Sequence, residues 1–266
     1  MKVPAYQVAG GGGTAVLLLH GIGGGRAIWQ GPRGDGGTWR ALAEAGHRAV
    51  AIDLPGYGDS AAMGAPDLPA LVAGVRAVMA ELDAARTVLV GHSMGGMVAQ
   101  ELVAQDPRGV DALVLACTSA AFGAPGGDWQ ARFVAERLAP LDAGQGMAGV
   151  AAALVPAMVS PGAAPGSAEF AAGVMARVPE ATYRSALAAI VAFDRREALP
   201  RIAVPTLLLA GEHDRTAPAA VMQRMAARIP GAAFATLENA GHIANVEQPA
   251  AFDAALLDFL RSTFRD

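Results

Sequence analysis

The chain has 266 residues, 53% of them hydrophobic, and 20 basic against 24 acidic side chains give a formal net charge of −4. That length suits one large α/β domain with room for an insertion. An acidic chain without basic clusters carries no electrostatic footprint for nucleic acid or anionic membranes, and no apolar run approaches the roughly 18 residues that cross a bilayer.

In chain order, the N-terminal stretch MKVPAYQVAGGGG lacks the apolar core of a signal peptide, and Val3–Val8 reads as an edge strand turning at Gly10 to Gly13. Six further apolar runs read as strands: Val16–His20, Ala49–Asp53, Thr87–Gly91, Ala112–Ala116, Thr206–Ala210 and Ala233–Leu237. Helices fit between them at Thr38–Ala45, Asp67–Leu82, Met94–Gln105, Ala219–Arg228 and Gln248–Phe264. Strand–helix alternation predicts an α/β fold, a mostly parallel central sheet with helices on both faces. Strands that are apolar throughout, rather than alternating, belong in such a doubly covered sheet. The single cysteine, Cys117, closes one apolar run and reads as a buried structural thiol; it excludes an internal disulfide, and a cytoplasmic protein is expected.

The rhythm breaks between residues 119 and 199. That stretch has helical composition punctuated by Pro140, Pro156, Pro161, Pro165 and Pro179. The expected organisation is a core of residues 1–118 and 200–266 with a helical cap, 119–199, inserted between two strands over the sheet's carboxyl edge, where ligands of open α/β sheets bind.

The chemistry centres on VLVGHSMGG, residues 88 to 96, where Gly91 and Gly95 flank Ser93 as G-x-S-x-G between a strand and a helix. Such a turn forces its central residue into a strained conformation that exposes the hydroxyl, and the flanking positions must be very small. The competing reading is a serine that merely caps the following helix. A nucleophilic serine needs a base and an orienting acid. His242, in ENAGHIANVEQP, lies between the last strand and last helix, and Asp214 follows a strand in LLLAGEHDRTAP, with Glu212 and His213 as competitors. The backbone N–H of Met94 is one candidate oxyanion donor, and Ile22, in LLLHGIGGG between Gly21 and Gly23, is the other. That glycine loop lacks the G-K-[ST] ending of a phosphate loop, and the five histidines lack metal-ligand spacing. No cofactor and no metal are expected. His20 and His92 read as structural, bonding loop backbones.

Taken together, HGIGGG, DLPGYGDS, GHSMGG, GEHD and GHIANVEQP, in this order, resemble the α/β-hydrolase superfamily over the chain from about residue 14 to its end, apart from the cap. The resemblance implies a serine hydrolase with Ser93, Asp214 and His242 as triad, acting on a small-molecule ester or lactone. Aspartate nucleophiles of dehalogenases and epoxide hydrolases do not match Ser93, and Ile243 stands where ring-cleavage hydrolases carry tryptophan. GHIANVEQPAAF and parts of the cap are similar to 3-oxoadipate enol-lactonases, whereas HGIG and DLPGYGDS depart from that family. The cap's Trp129, Phe133 and Met147, with Gly21, Gly23 and Ile243, are the expected substrate-binding residues. Arg132, Arg184, Arg195 and Arg196 are cap cations that either meet a substrate carboxylate or face solvent. A carboxylesterase is the leading reading. A lactonase and a non-catalytic receptor on the same fold are its rivals.

Overall fold

Five strands of the sheet bury all or nearly all of their side chains, and they form its middle. The computed structural model describes residues 2–32, 34–61, 67–122 and 128–264. Its strands are β1 (Tyr6–Ala9), β2 (Thr14–Leu19), β3 (Arg48–Ile52), β4 (Arg86–His92), β5 (Ala112–Ala116), β6 (Thr206–Gly211) and β7 (Ala233–Leu237). They lie in the order β1-β3-β2-β4-β5-β6-β7, with β1 antiparallel to β3 and every other pair parallel. Successive strand residues face opposite sides of a sheet, so strands buried at every position must be covered on both faces. The edge strands β1 and β7 are the partly exposed ones.

The helices are α1 (Gly37–Glu44), α2 (Leu68–Leu82), α3 (Met94–Gln105), α4 (Asp128–Asp142), α5 (Gly146–Met158), α6 (Ser167–Met175), α7 (Glu180–Val191), α8 (Ala219–Ala226), α9 (Ala244–Glu247) and α10 (Pro249–Thr263). Local chemistry fixes several ends. Asp67 caps α2 by accepting a 2.8 Å bond from the Ala70 N–H, so the helix starts one residue later than expected. The α8 helix stops at Ala226, short of the expected Arg228, because Pro230 disfavours helical geometry in the residue before it. The edge strand begins at Tyr6 rather than Val3, past Pro4, which has no N–H for the ladder.

Among the described residues, the α-helices α4 to α7 fill the excursion between β5 and β6. Two of its prolines do not punctuate as expected: Pro140 and Pro156 lie within the last turns of α4 and α5, each removing one N–H from the bonding of its helix. At the root of the excursion, Ala121 and Asp194 form an antiparallel bridge, reinforced by Phe122 N–H to Phe193 O at 3.0 Å and Arg195 N–H to Ala120 O at 2.7 Å. Val150, Val155 and Leu187 of these helices join one continuous apolar cluster with Leu17 and Leu89 of the sheet. Residues 123–127, inside the expected 119–199 insertion, lie outside the described residues. Among the described residues no helix is long and apolar enough to cross a membrane.

The chain passes from β3, on one side of β2, to β4 on its other side. The carboxyl ends of β2 and β4 therefore border a topological switch point, the usual ligand crevice of an open α/β sheet. His20, Gly21 and Ile22 follow β2 directly, and Ser93 follows β4.

Candidate active site

Strand β4 ends at His92 and α3 starts at Met94, which leaves Ser93 alone to turn the chain at φ 51°, ψ −116°. A non-glycine residue held at positive φ costs on the order of 1–3 kcal/mol and persists only where its surroundings fix it. Here they do. Its N–H donates to Ala116 O at 2.9 Å, and its carbonyl accepts from Gly96 N–H at 2.9 Å, Met97 N–H at 3.2 Å and Thr118 Oγ1 at 2.7 Å. A Cβ on Gly91 would come 2.5 Å from Gly95 O, and one on Gly95 would strike Leu19 O, so neither position admits a side chain. The Ser93 hydroxyl makes no capping bond to α3. Instead its Oγ lies 3.0 Å from His242 Nε2.

The imidazole's other nitrogen, Nδ1, donates to Asp214 Oδ2 at 2.9 Å. Asp214 stands just past β6, with Oδ1 accepting from the N–H groups of Thr216 at 2.7 Å and Ala217 at 2.9 Å. Burial works to raise its carboxyl pKa. The charge and hydrogen bond of His242, with the two backbone donors, outweigh burial and hold it below the usual carboxylate range. An ionised Asp214 fixes the proton on Nδ1 and leaves Nε2 free to accept from the serine. Glu212 and His213, the competing acids and bases, are about half exposed and face each other instead.

Ser93 and His242 border a cavity of about 540 Å³, together with Ile22, Met94, Trp129 and Phe133. Among the described residues, neither the Ile22 N–H nor the Met94 N–H donates to another backbone or side-chain group. No three His, Cys, Asp or Glu side chains among the described residues gather as metal ligands do.

The family model of the alpha/beta hydrolase fold matches residues 14–249. The chain belongs to the α/β-hydrolase family. It is 38% identical over 96% of its length, and 95% of the other chain, to a candidate carbamate hydrolase, RutD, of Variovorax paradoxus. It is 30% identical over 78% of its length, and 76% of the other chain, to 3-oxoadipate enol-lactonase 2 of Acinetobacter baylyi. Among solved structures, an esterase from Thermogutta terrifontis superimposes with a TM-score of 0.84 at 27% identity, covering 97% of this chain and 93% of the other.

In this α/β-hydrolase the loop that carries His242 is braced by a residue that the sequence did not single out. Glu247 is fully buried. Its Oε2 accepts from Gly241 N–H and Ser160 N–H, both at 2.7 Å, and its Oε1 accepts from Ile243 N–H at 2.8 Å. One carboxylate thus grips the residues on either side of His242. The His242 N–H donates to Met158 O at 2.8 Å, and its carbonyl accepts from His92 Nε2 at 2.7 Å. The only hint in the sequence is a glutamate five residues after the histidine, at the end of an apolar turn.

The other predicted residues divide. Trp129 and Phe133 line the cavity, whereas Met147 is buried against neighbouring helices and does not. Ile243 is also buried, occupied with Glu247 rather than with the cavity. Gly21 and Gly23 act by their smallness rather than by contact with a ligand. A Cβ on Gly21 would lie 3.2 Å from Ser93 Cβ, and one on Gly23 would collide with Met175, itself a cavity residue. Of the arginines expected in a cap, Arg184 pairs with Asp142 and Glu180, and Arg195 pairs with Glu101. Arg196 borders the cavity but pairs with Asp194, and Arg132 is exposed.

His20 and His92 are built into the loops. His20 Nε2 accepts from Leu54 N–H at 3.1 Å, so Nδ1 carries the proton that bonds Gly21 O at 2.8 Å. Burial, aided by the neighbouring His242, pushes the His92 pKa down to about 3, and its Nδ1 has no partner among the described residues. Cys117 is fully buried, its thiol pKa pushed up by burial. In DLPGYGDS, Asp53 binds Arg26 and the Asp59 N–H, and a Cβ on Gly58 would collide with its carboxylate, which makes the motif scaffold.

Proposed function

We propose that the chain is a carboxylic ester hydrolase in which Ser93 is the nucleophile, His242 the general base and Asp214 the group that holds the imidazole tautomer. The observation that carries this reading is the unbroken hydrogen-bonded line from Asp214 through His242 to a strained Ser93 at the cavity wall. Ser93 Oγ attacks the ester carbonyl as Nε2 of His242 takes its proton. The charge that develops on the carbonyl oxygen falls to the free N–H groups of Met94 and Ile22. Collapse expels the alcohol, protonated by His242, and leaves an acyl group on Ser93. Water activated by the same imidazole then releases the acid.

The described residues of 119–199 serve as the cap in this reading, closing the cavity with largely apolar side chains. A cavity of about 540 Å³ with such walls suits a small to medium acyl group. A second reading, hydrolysis of an enol-lactone, draws on the likeness to the enol-lactonase relative across 78% of the chain. The attack is the same, but the leaving alkoxide stays tethered to the acyl group.

Replacing Ser93 by alanine removes the nucleophile and leaves the turn's packing alone, so ester hydrolysis should fall on the order of 10⁴-fold or more with melting temperature retained. A phosphonate that labels the wild-type chain once should leave the variant unlabelled by mass spectrometry. Retained activity in a pure Ser93→Ala preparation overturns the mechanism. A single slow turnover of p-nitrophenyl butyrate by the wild type makes the protein a receptor. Faster release from lactones than from open-chain esters favours the second reading.

A further inference from the structure

The cavity that holds Ser93 is lined by four arginines and, among the described residues, by no aspartate or glutamate. In a chain of net charge −4 this is a local reversal. Three of the four are accounted for. Arg196 pairs with Asp194, Arg228 pairs with Glu197, and Arg224 is exposed to solvent.

Arg137, on α4, is different. Its side chain is half-buried, its guanidinium carbon lies 3.2 Å from the centroid of the Phe133 ring, and it makes no hydrogen bond or ion pair with any described residue. The other arginines of which this holds, Arg132, Arg177, Arg215 and Arg224, are exposed, where water serves them. Stacking on Phe133 uses the face of the guanidinium and leaves its five N–H donors, which lie in the plane, unclaimed. Phe133 is itself held against Phe122 and Trp129, with ring centroids 4.5 Å and 5.3 Å away, so the platform is fixed. Burial lowers the Arg137 pKa, opposed only by the fields of Tyr183 and Glu136. A cation withdrawn from water without a carboxylate is costly unless a ligand supplies one. A planar fork of donors matches a carboxylate in two-point geometry.

We infer that the substrate is an anion, and that Arg137, seated on the Phe133 platform, binds its carboxylate while the ester lies at Ser93. The remaining walls are largely apolar, so the substrate class is a half-ester of a dicarboxylic acid with a short hydrocarbon segment between the two ends. This inference rests on the proposed ester hydrolysis for the identity of the other end.

The test compares monomethyl with dimethyl esters of succinate, glutarate and adipate. For at least one chain length the wild type should prefer the monoester by about 10- to 100-fold in kcat/KM, the worth of a hydrogen-bonded charge pair. Arg137→Met should bring that ratio close to one, mainly through KM of the monoester, and Arg137→Lys should restore part of it. A wild-type ratio near one at every length overturns the inference. So does an Arg137→Met variant, folded by thermal melting, that slows both esters equally and keeps the ratio. Calorimetric titration of Ser93→Ala protein with glutarate and adipate gives a readout without turnover. Binding that disappears on adding Arg137→Met supports the carboxylate site even if no ester is cleaved, in which case the hydrolase reading alone fails. Ester cleavage without dicarboxylate binding or monoester preference leaves the hydrolase reading intact and removes this one.

Discussion

The loops after β2, β4, β6 and β7 and the helices between β5 and β6 face the same cavity, yet they are built on opposite plans. In the loops, the groups that hold Ser93, Asp214 and His242 in place are tethered. The Ser93 carbonyl accepts three bonds, Asp214 accepts three, and Glu247 accepts three. The helices present mainly apolar side chains and a guanidinium that, among the described residues, stacks on Phe133 without a hydrogen bond or ion pair, and Trp129 is 49% exposed. The two plans meet at the end of α5, where Met158 O and Ser160 N–H bond the His242 loop. The contrast teaches a division of labour. Chemistry needs atoms fixed to within fractions of an ångström, and only a saturated hydrogen-bond network does that. Selection among substrates needs shape and charge, which helical side chains supply and can vary.

The sharpest break of this contrast is Asp214→Asn. The amide keeps the size but no longer fixes the imidazole tautomer, so kcat should fall on the order of 10⁴-fold while the fold survives. Steady-state kinetics on a neutral ester check it, and a loss below tenfold would remove Asp214 from its role. Glu247→Gln comes next. It turns one acceptor into a donor facing backbone N–H groups, at a cost of about 1–3 kcal/mol in stability. The melting temperature should drop by several degrees and kcat should fall more than KM rises, because His242 is loosened. An unchanged melting temperature would show that the loop holds itself.

The tethered side should also respond to acid. His92 and His20 are held neutral by burial, with His92 pushed down to about 3. Below about pH 6.5 the unfolded chain binds protons at these imidazoles and the folded chain does not, so stability declines as pH falls from about 6.5 toward 3. The slope is at most about 1.4 kcal/mol per pH unit for each histidine. His92→Gln retains a donor for the His242 carbonyl and does not titrate, so its melting temperature should fall less steeply across that window. An identical slope would mean other groups govern acid stability. The smallest effect is expected on the helical side. Met147→Leu, away from the cavity, should cost less than about 1.5 kcal/mol and leave KM unchanged, whereas Trp129→Ala should shift KM among esters of different acyl size. Equal KM profiles for the two variants would erase the distinction between them.

The same contrast explains what was legible in the sequence. Gly91, Ser93 and Gly95 were readable because backbone collision leaves only glycine at the flanks, and the central strands because double burial demands unbroken apolar runs. Asp214 and His242 followed from their places after strands. On the helical side an apolar residue reads the same whether it faces the cavity, as Trp129 does, or neighbouring helices, as Met147 does. Arg137 was not among the four cations singled out, since partnership is decided by residues distant in the chain. Glu247 was invisible for the same reason: its three donors are Gly241, Ile243 and Ser160, the last of them on another segment altogether.

The bridge between Ala121 and Asp194 carries one more consequence. It brings the two ends of the excursion together before any of the helices α4 to α7 begins, so β5 and β6 pair without reference to what lies beyond the doorway. For a loop already closed at its base, each doubling of length adds only about 0.6 kcal/mol of closure entropy. Such a segment is an exchangeable part in evolutionary terms. New helices can be spliced in at that doorway, changing the diet of the enzyme without rebuilding the machine that digests it.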